Sequence, residues 1–188
     1  MSGYTNFAVI GAGNFGSFVI RQLLKDRVAG TVKKIVVLTR QVKYLTNNPA
    51  VHDFTDKHAL CSGIQNHRSG RRQVDYSNDD SIKRALAGVH VVISTIQPRA
   101  IDVQTKIAAA AKEAGVRLFC PSEFGRISED KTEGVFAAKA SAQEKLKAMG
   151  VPYAAFYNGP FSDMACHTDC GCYKEAGVRS GRHLCAIG

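Results

Sequence analysis

Short apolar runs alternate with amphipathic segments along most of the chain. Runs rich in β-branched and aromatic residues predict strands at Phe7–Ile10, Lys34–Leu38, His90–Ser94, Val116–Cys120 and Tyr153–Tyr157. Helical spacing of apolar residues predicts helices at Asn14–Asp26, Asp79–Ala87, Ala100–Ala114 and Thr132–Met149. Gly88, Gly115 and Gly150 follow three of these helices, where a left-handed residue commonly ends a helix.

This alternation predicts an α/β fold, a doubly wound parallel sheet with helices on both faces, over residues 1–163. Two stretches depart from the pattern. A third apolar strand is expected before Val74, but residues 41–73 are polar, basic and without period, and they predict an irregular loop. Residues 164–188 hold four of the six cysteines and lack apolar periodicity, so we expect an atypical Cys-rich tail without a stable fold.

The first predicted strand leads directly into a glycine motif. Gly11, Gly13 and Gly16 have G-x-G-x-x-G spacing, with a strand before them and a helix after them. In this context the first glycine permits a tight turn, the second lets a pyrophosphate approach the backbone, and the third lets the helix pack on the strand. Unpaired N–H groups at the helix start would then hold the pyrophosphate, with Asn14 and Phe15 inside the motif. The motif predicts a Rossmann NAD(P)-binding domain.

The end of the second strand predicts which dinucleotide is bound. An NAD site usually has an acidic residue here, but the chain reads Thr39-Arg40, with Lys43 three positions later. A guanidinium can form charge-assisted bonds to a 2′-phosphate, so these residues favour NADP over NAD. The alternative is that Arg40 is an ordinary surface arginine of a basic protein.

Composition restricts the other classes of partner. The chain has 188 residues and a formal net charge of +9, but its basic residues are scattered. Arg68, Arg71 and Arg72 form the densest cluster, and no aromatic residue lies between them to stack on bases, so a nucleic acid partner is not favoured. A basic surface would instead attract an anionic cofactor.

The start of the sequence resembles no signal peptide, and no apolar run is long enough to span a membrane. We therefore expect a cytoplasmic protein with reduced thiols and no membrane association.

Two further segments carry polar residues to the expected crevice. Val91–Pro98 reads as a buried strand, and its final polar residues, Ser94, Thr95 and Gln97, are placed to meet a ribose or nicotinamide at the carboxyl edge of the sheet. Phe119–Gly125 ends the next strand in a Pro-Ser-Glu-Phe-Gly turn.

Together with Gly11–Gly16, these two segments resemble the NmrA-like and isoflavone-reductase-like family of atypical short-chain dehydrogenase/reductases. The resemblance covers Phe7–Arg40 and Val74–Asp163 but neither residues 41–73 nor the tail. It implies an NADPH-dependent reductase of a small, aromatic or carbonyl-bearing substrate. The alternative is a catalytically inactive NADP(H)-sensing regulator that acts through a protein partner.

The resemblance also implies a catalytic residue. Reductases of the family carry a lysine in a Phe-x-x-Lys-Ala setting, and Phe136–Ala140 matches, so Lys139 would bind the nicotinamide ribose and help protonate the product. The alternative is a solvated lysine, since Lys145 and Lys147 lie on the same helix. The Ser-Tyr-Lys arrangement of typical short-chain dehydrogenases is missing.

Other residues near these motifs leave alternatives open. Ser122 and Glu123 could line the nicotinamide end of the crevice or only close the loop with hydrogen bonds. Phe124 reads as a core residue. Asn158 follows the last predicted strand, where the family begins its substrate pocket.

Members of that family continue with elements that cover the nicotinamide and bind substrate. We therefore expect the substrate domain to be largely missing here, with the tail arising from altered splicing or intron translation. The tail residues His167, Cys170, Cys172 and Cys185 could be read as a zinc cluster, but their spacing matches no usual zinc knuckle and no metal is predicted.

Overall fold

The computed structural model describes residues 3–39, 70–97 and 100–159. The strands of this part are β1 (Asn6–Ile10), β2 (Lys34–Thr39), β3 (Gly70–Gln73), β4 (Val91–Ser94) and β5 (Leu118–Cys120). The helices are α1 (Asn14–Val28), α2 (Asp79–Leu86), α3 (Ile101–Glu113) and α4 (Gly134–Ala148). None of these helices is long and apolar enough to cross a membrane.

The strands form one parallel sheet in the order β3-β2-β1-β4-β5. β1 lies between β2 and β4, with Ile10 opposite both Leu38 and Ser94. The chain therefore winds outwards from β1 in both directions, which confirms the predicted doubly wound α/β fold. In such a sheet the crevice at the carboxyl ends of β1 and β4 is where ligands bind.

The two faces of the sheet carry separate apolar clusters. Ala8 and Ile10 of β1 pack on the face covered by α2, α3 and α4. Val9 points the other way and packs with Ile20 and Leu23 of α1. Since successive side chains of a strand point to opposite faces, an uninterrupted apolar run such as β1 fits a strand covered on both sides.

The helix boundaries follow their local chemistry. Asn78 caps α2, where its side chain accepts a hydrogen bond from Ser81 N (3.1 Å), and acidic residues occupy the first turn. Gly88, Gly115 and Gly150 all have positive φ, at 71°, 78° and 62°, as predicted for residues just beyond a helix.

One prediction was wrong at the end of the stretch 41–73. Gly70–Gln73 forms β3, which pairs in parallel with β2. This strand lies at the edge of the sheet and is held by backbone bonds to one neighbour, so it forms without the apolar side chains that a central strand needs. Residues 41–69 of that stretch lie outside the described residues, as does the tail 164–188.

The predicted strand Tyr153–Tyr157 was also wrong beyond its first residue. Tyr153 forms an isolated parallel bridge with Phe119, in which Phe119 N donates to Pro152 O and Ala154 N donates to Phe119 O, at 2.9 and 3.0 Å. The next donor along β5 would be residue 121, a proline without an N–H group. The ladder therefore stops after one bridge.

Candidate functional site

The glycine motif forms a tight turn between β1 and α1. Gly11 has φ +90°, a conformation that L side chains rarely adopt, and its N–H donates to Leu38 O at 3.2 Å. A Cβ atom on Gly16 would lie 2.6 Å from Thr95 Oγ1, 3.1 Å from the Gly11 carbonyl carbon and closer still to the Gly11 carbonyl oxygen. Glycine at position 16 therefore lets α1 begin against the end of β1.

The start of α1 is open and carries no side-chain cap. Gly13 is the N-cap residue and has no side chain that could accept a hydrogen bond from the first N–H groups of the helix. The first turn of α1 contains no acidic residue. A Cβ on Gly13 would meet nothing within 4 Å, and both Gly13 and Asn14 are exposed. An exposed helix start without a side-chain cap or an acidic residue, and with close access to the backbone, fits a pyrophosphate.

Thr95, at the end of β4, braces this turn. Its N–H donates to Ile10 O at 2.8 Å, and its hydroxyl oxygen lies 3.0 Å from Ile10 O and 2.9 Å from Gly11 O. The single hydroxyl proton can be donated to either carbonyl. In this structure Thr95 thus holds the glycine turn to β4, while Gln97, two residues on, is exposed.

The Pro-Ser-Glu-Phe-Gly turn follows β5 on the other side of β4. Ser122 Oγ donates to Ile96 O at 2.8 Å, and Ser122 N donates to Oε1 of the buried Gln104 at 2.8 Å. These bonds tie the turn to the segment after β4 and to α3, which matches the loop-closing alternative for Ser122. Ser122 itself is half-buried.

Three phenylalanine rings join the glycine turn to the last described segment. The Phe15 and Phe124 ring centroids are 4.4 Å apart and tilted by 49°, and Phe124 stacks on Phe156 with centroids 6.4 Å apart. Phe15 and Phe124 are half-buried and Phe156 is exposed. Phe124, expected in the core, thus lies in a row of aromatic rings that a planar ligand group could extend.

A buried polar cluster lies between the Pro-Ser-Glu-Phe-Gly turn and α4. Glu123 is fully buried, and its Oε2 accepts a hydrogen bond from Ser128 Oγ at 2.6 Å. Gln143 Nε2 donates to Ser128 Oγ at 3.0 Å and to the Tyr157 hydroxyl oxygen at 2.9 Å. Lys139 lies on the same buried face of α4, one turn before Gln143, and is 7% exposed.

Burial and the charge of the partner have opposite effects on the pKa of Glu123, and likewise on the pKa of Lys139. Burial raises the pKa of Glu123, and the Ser128 hydrogen bond and the Lys139 charge oppose that rise. Burial lowers the pKa of Lys139, and the negative charge of Glu123 opposes that fall. The alternative of a solvated Lys139 is excluded by its burial, whereas Lys145 and Lys147 on the same helix are exposed.

Some of the predicted site residues lie at one edge of the sheet, and the others lie elsewhere or outside the described residues. Three groups of residues follow the carboxyl ends of strands: the glycine turn with Asn14 and Phe15 follows β1, Thr95 and Gln97 follow β4, and Ser122 follows β5. The backbone of Thr39 ends β2 beside β3, and Arg40 and Lys43 lie outside the described residues. Asn158 is exposed, next to Gly159, whose N–H donates to Gly125 O at 2.9 Å. These placements leave the cofactor contacts as predictions.

Sequence reasoning missed Ser128, Gln143 and Gln104. For Gln143 and Gln104 the signal lay in α4 and α3, where polar residues interrupt an otherwise apolar buried stripe. Lys139 and Gln143 share their face with Ala142 and Leu146, and Gln104 lies among the buried alanines and isoleucines of α3. A polar residue on the buried face of a helix indicates a specific hydrogen-bond partner.

Comparison with known proteins finds isoflavone reductase homologues and solved structures of several reductases. Isoflavone reductase homolog P3 of Arabidopsis thaliana is 40% identical over 94 residues, which cover 46% of this chain and 30% of that protein. The crystal structure of isoflavone reductase superposes with a TM-score of 0.66 at 25% identity, covering 89% of this chain and 54% of that one. Triphenylmethane reductase of Citrobacter sp., solved with NADP(H), gives a TM-score of 0.62 at 21% identity and covers 91% and 55%.

The solved structures are longer than this chain, whereas the family model matches most of it. The chain spans about half the length of these two solved structures, 54% and 55%. The family model of the NmrA-like family matches residues 5–176, so the family resemblance also runs through residues 41–73 and into the tail, where none was expected. With the glycine turn, the parallel sheet and this match in agreement, the chain belongs to the NmrA-like family.

Proposed function

We propose that this chain binds NADPH at the carboxyl edge of its sheet and serves as an NADPH-dependent oxidoreductase. The observation that best supports the proposal is the open start of α1. It has a tight glycine turn behind it, no side-chain cap and no acidic residue in its first turn. A negatively charged pyrophosphate is the ligand that such a helix start favours. The Citrobacter reductase, which shares the fold, was solved with NADP(H).

The choice of NADPH over NADH rests on the sequence at the end of β2. Arg40 and Lys43 are cations at the position where an acid would hold an unphosphorylated ribose. Hydrogen bonds to charged groups contribute about 1.5–3 kcal/mol each, so NADPH should bind at least about tenfold more tightly than NADH.

The chemistry on the chain's side would depend on Lys139. When bound, NADPH supplies a hydride, two electrons with one hydrogen nucleus, to an electrophilic carbon of the substrate and is left as NADP⁺. Lys139 would donate the matching proton to the reduced oxygen, become a neutral amine, and regain a proton from solvent. Its burial lowers its pKa towards the range in which an ammonium group is an effective proton donor. A small aromatic or carbonyl-bearing substrate would suit the row formed by Phe15, Phe124 and Phe156.

The first test is a fluorescence titration of the full chain with NADPH and, separately, with NADH. We expect saturable NADPH binding, a preference over NADH, and loss of that preference in Arg40→Ala. Gly13→Val is the matched site variant, since its Cβ would meet nothing within 4 Å and its side chain should block the pyrophosphate while the fold is kept. Binding that survives in Gly13→Val would remove the proposed site.

The second test is NADPH consumption with a panel of carbonyl and aromatic ether compounds. Lys139→Met should abolish turnover while leaving most of the NADPH affinity, and Lys145→Met, at an exposed position of the same helix, should change neither. NADPH binding without turnover of any compound would favour the NADP(H)-sensing regulator with a protein partner.

A further inference from the structure

Glu123 has an arrangement that loop closure alone does not explain. It is fully buried directly after β5, and Ser128 holds only one of its two carboxylate oxygens, at 2.6 Å. The other oxygen, Oε1, is buried and has no hydrogen-bond partner among the described residues. A buried carboxylate oxygen without a partner is costly unless a positive charge lies nearby.

Lys139 is the cation that the fold brings to this carboxylate. It lies one helical turn before Gln143 on the buried face of α4, and Gln143 donates to the same Ser128 hydroxyl oxygen at 3.0 Å. Ser128 thus touches both Glu123 and α4, which brings the lysine's face of α4 to the carboxylate. Only 7% of Lys139 is exposed, so water screens its charge poorly.

We propose that Glu123 is the positioning residue of Lys139: Ser128 fixes one carboxylate oxygen, and the negative charge of the carboxylate, held against the buried face of α4, keeps this buried lysine charged and in place. This inference rests on the proposed function, since it assigns Glu123 the task of keeping Lys139 ready as a proton donor. Gln143 and Tyr157 complete the support, because Gln143 bridges Ser128 and the Tyr157 hydroxyl group.

The charge balance around the pair agrees with this role. Glu123 is the one charged group that acts on the pKa of Lys139 within the described residues, and it raises that pKa against the effect of burial. Lys139 in turn lowers the pKa of Glu123, which Glu129 raises. Tyr157, whose own pKa is raised by burial, faces the same cluster from the last described segment.

The test is a pH titration by NMR of the full chain labelled with [ε-13C]lysine, in which the Lys139 signal is assigned from its loss in Lys139→Arg. We expect the Lys139 titration to move to lower pH in Glu123→Gln and to stay near the original in Glu123→Asp, which keeps the negative charge. Glu129→Gln is the matched control, because it removes an exposed carboxylate from the same turn and should leave Lys139 unchanged. An unchanged titration in a folded Glu123→Gln protein would overturn the proposal.

A reciprocal measurement covers the case in which Glu123→Gln does not fold. In Lys139→Met, labelled with [δ-13C]glutamate, the Glu123 carboxyl should titrate at higher pH than in the original chain, and an unchanged or lowered value would contradict the inference. Neither NMR experiment requires nucleotide or turnover. If NADPH fails to bind while these titrations still shift, the proposed function fails and the coupling of Glu123 to Lys139 stands.

Discussion

Gly16 and Gly13 belong to the same motif, but the structure gives them opposite sensitivities to a methyl group. In Gly16→Ala the new Cβ would lie 2.6 Å from Thr95 Oγ1 and 3.1 Å from the Gly11 carbonyl carbon, with the Gly11 carbonyl oxygen nearer still. The Gly11 groups are backbone atoms at the end of the central strand, so they cannot rotate away as a flexible side chain would. Either α1 or the end of β1 has to move.

The expected magnitude follows from that displacement. Overpacking of a well-packed site by a methyl group costs about 1–3 kcal/mol. For a chain of this size each kcal/mol lowers the melting temperature by about 2–4 °C, so Gly16→Ala should melt about 2–12 °C below the original protein. Since the start of α1 moves with it, NADPH affinity should fall as well.

Gly13→Ala is the matched control. Gly13 has φ −72°, which any residue adopts, and its Cβ would meet nothing within 4 Å. Alanine is a poorer N-cap than glycine, so we expect a loss of stability of about 1 kcal/mol or less. The methyl group enters the space assigned to the pyrophosphate, so NADPH binding should weaken although the fold is kept.

The assay is urea or thermal unfolding of the three proteins, followed by circular dichroism, together with NADPH titration. A Gly16→Ala protein as stable as the original would refute the close packing of α1 on β1. The double variant Gly16→Ala/Thr95→Ala adds an internal check. The Thr95→Ala change removes the hydroxyl clash but not the clash with the Gly11 backbone. Gly16→Ala should therefore cost less stability in the Thr95→Ala protein than in the original protein, but it should still cost some.

Three further outcomes are expected. Thr95→Val keeps the side-chain shape but loses the hydroxyl bond to the glycine turn, so urea denaturation should show a loss of about 0.5–1.5 kcal/mol; an unchanged midpoint would mean that the brace is not needed. Asn78→Ala removes the cap of α2 and should cost about 1 kcal/mol in the same assay, with no effect on NADPH affinity. His90 Nδ1 accepts a hydrogen bond from Thr5 N at 3.2 Å, and burial with neighbouring cations lowers its pKa, so the folded state favours the neutral ring. The free energy of unfolding should be highest above pH about 6.5 and fall as the pH drops below it, and His90→Gln should flatten that dependence.

The sequence was sufficient to predict the central strands and the helices, because their signals are local. β1 and β2 contain the uninterrupted apolar runs Phe7–Ile10 and Ile35–Leu38, and α2 has a cap and acidic first turn that can be read directly. β3 was missed because edge pairing depends on the backbone of β2, which leaves no apolar pattern in the strand itself. Tyr153–Tyr157 was extended too far because Pro121, which stops the ladder, lies more than thirty residues away.

The candidate site likewise has parts that the local sequence predicts and parts that depend on contacts between distant segments. The glycine turn is a local motif, and its geometry follows from its own residues and their flanks. The role of Thr95 as a brace could not be read from its strand, since it depends on the register that sets Ser94 opposite Ile10. The cluster of Glu123, Ser128 and Gln143 joins a turn, a loop and a helix, so no single segment of sequence contains it.

The buried carboxylate and ammonium groups also bear on why this edge of the sheet is built as it is. Replacing a buried pair of charges by apolar residues is often neutral or stabilising, so stability alone gives no reason to keep Glu123 and Lys139 in the interior. The apolar clusters on both faces of the sheet already supply a core without them. The pair lies instead beside the turn after β5, at the carboxyl edge where the glycine turn and Thr95 also lie. A costly polar arrangement confined to the edge where a doubly wound sheet binds its ligands supports a chemical role over a structural one.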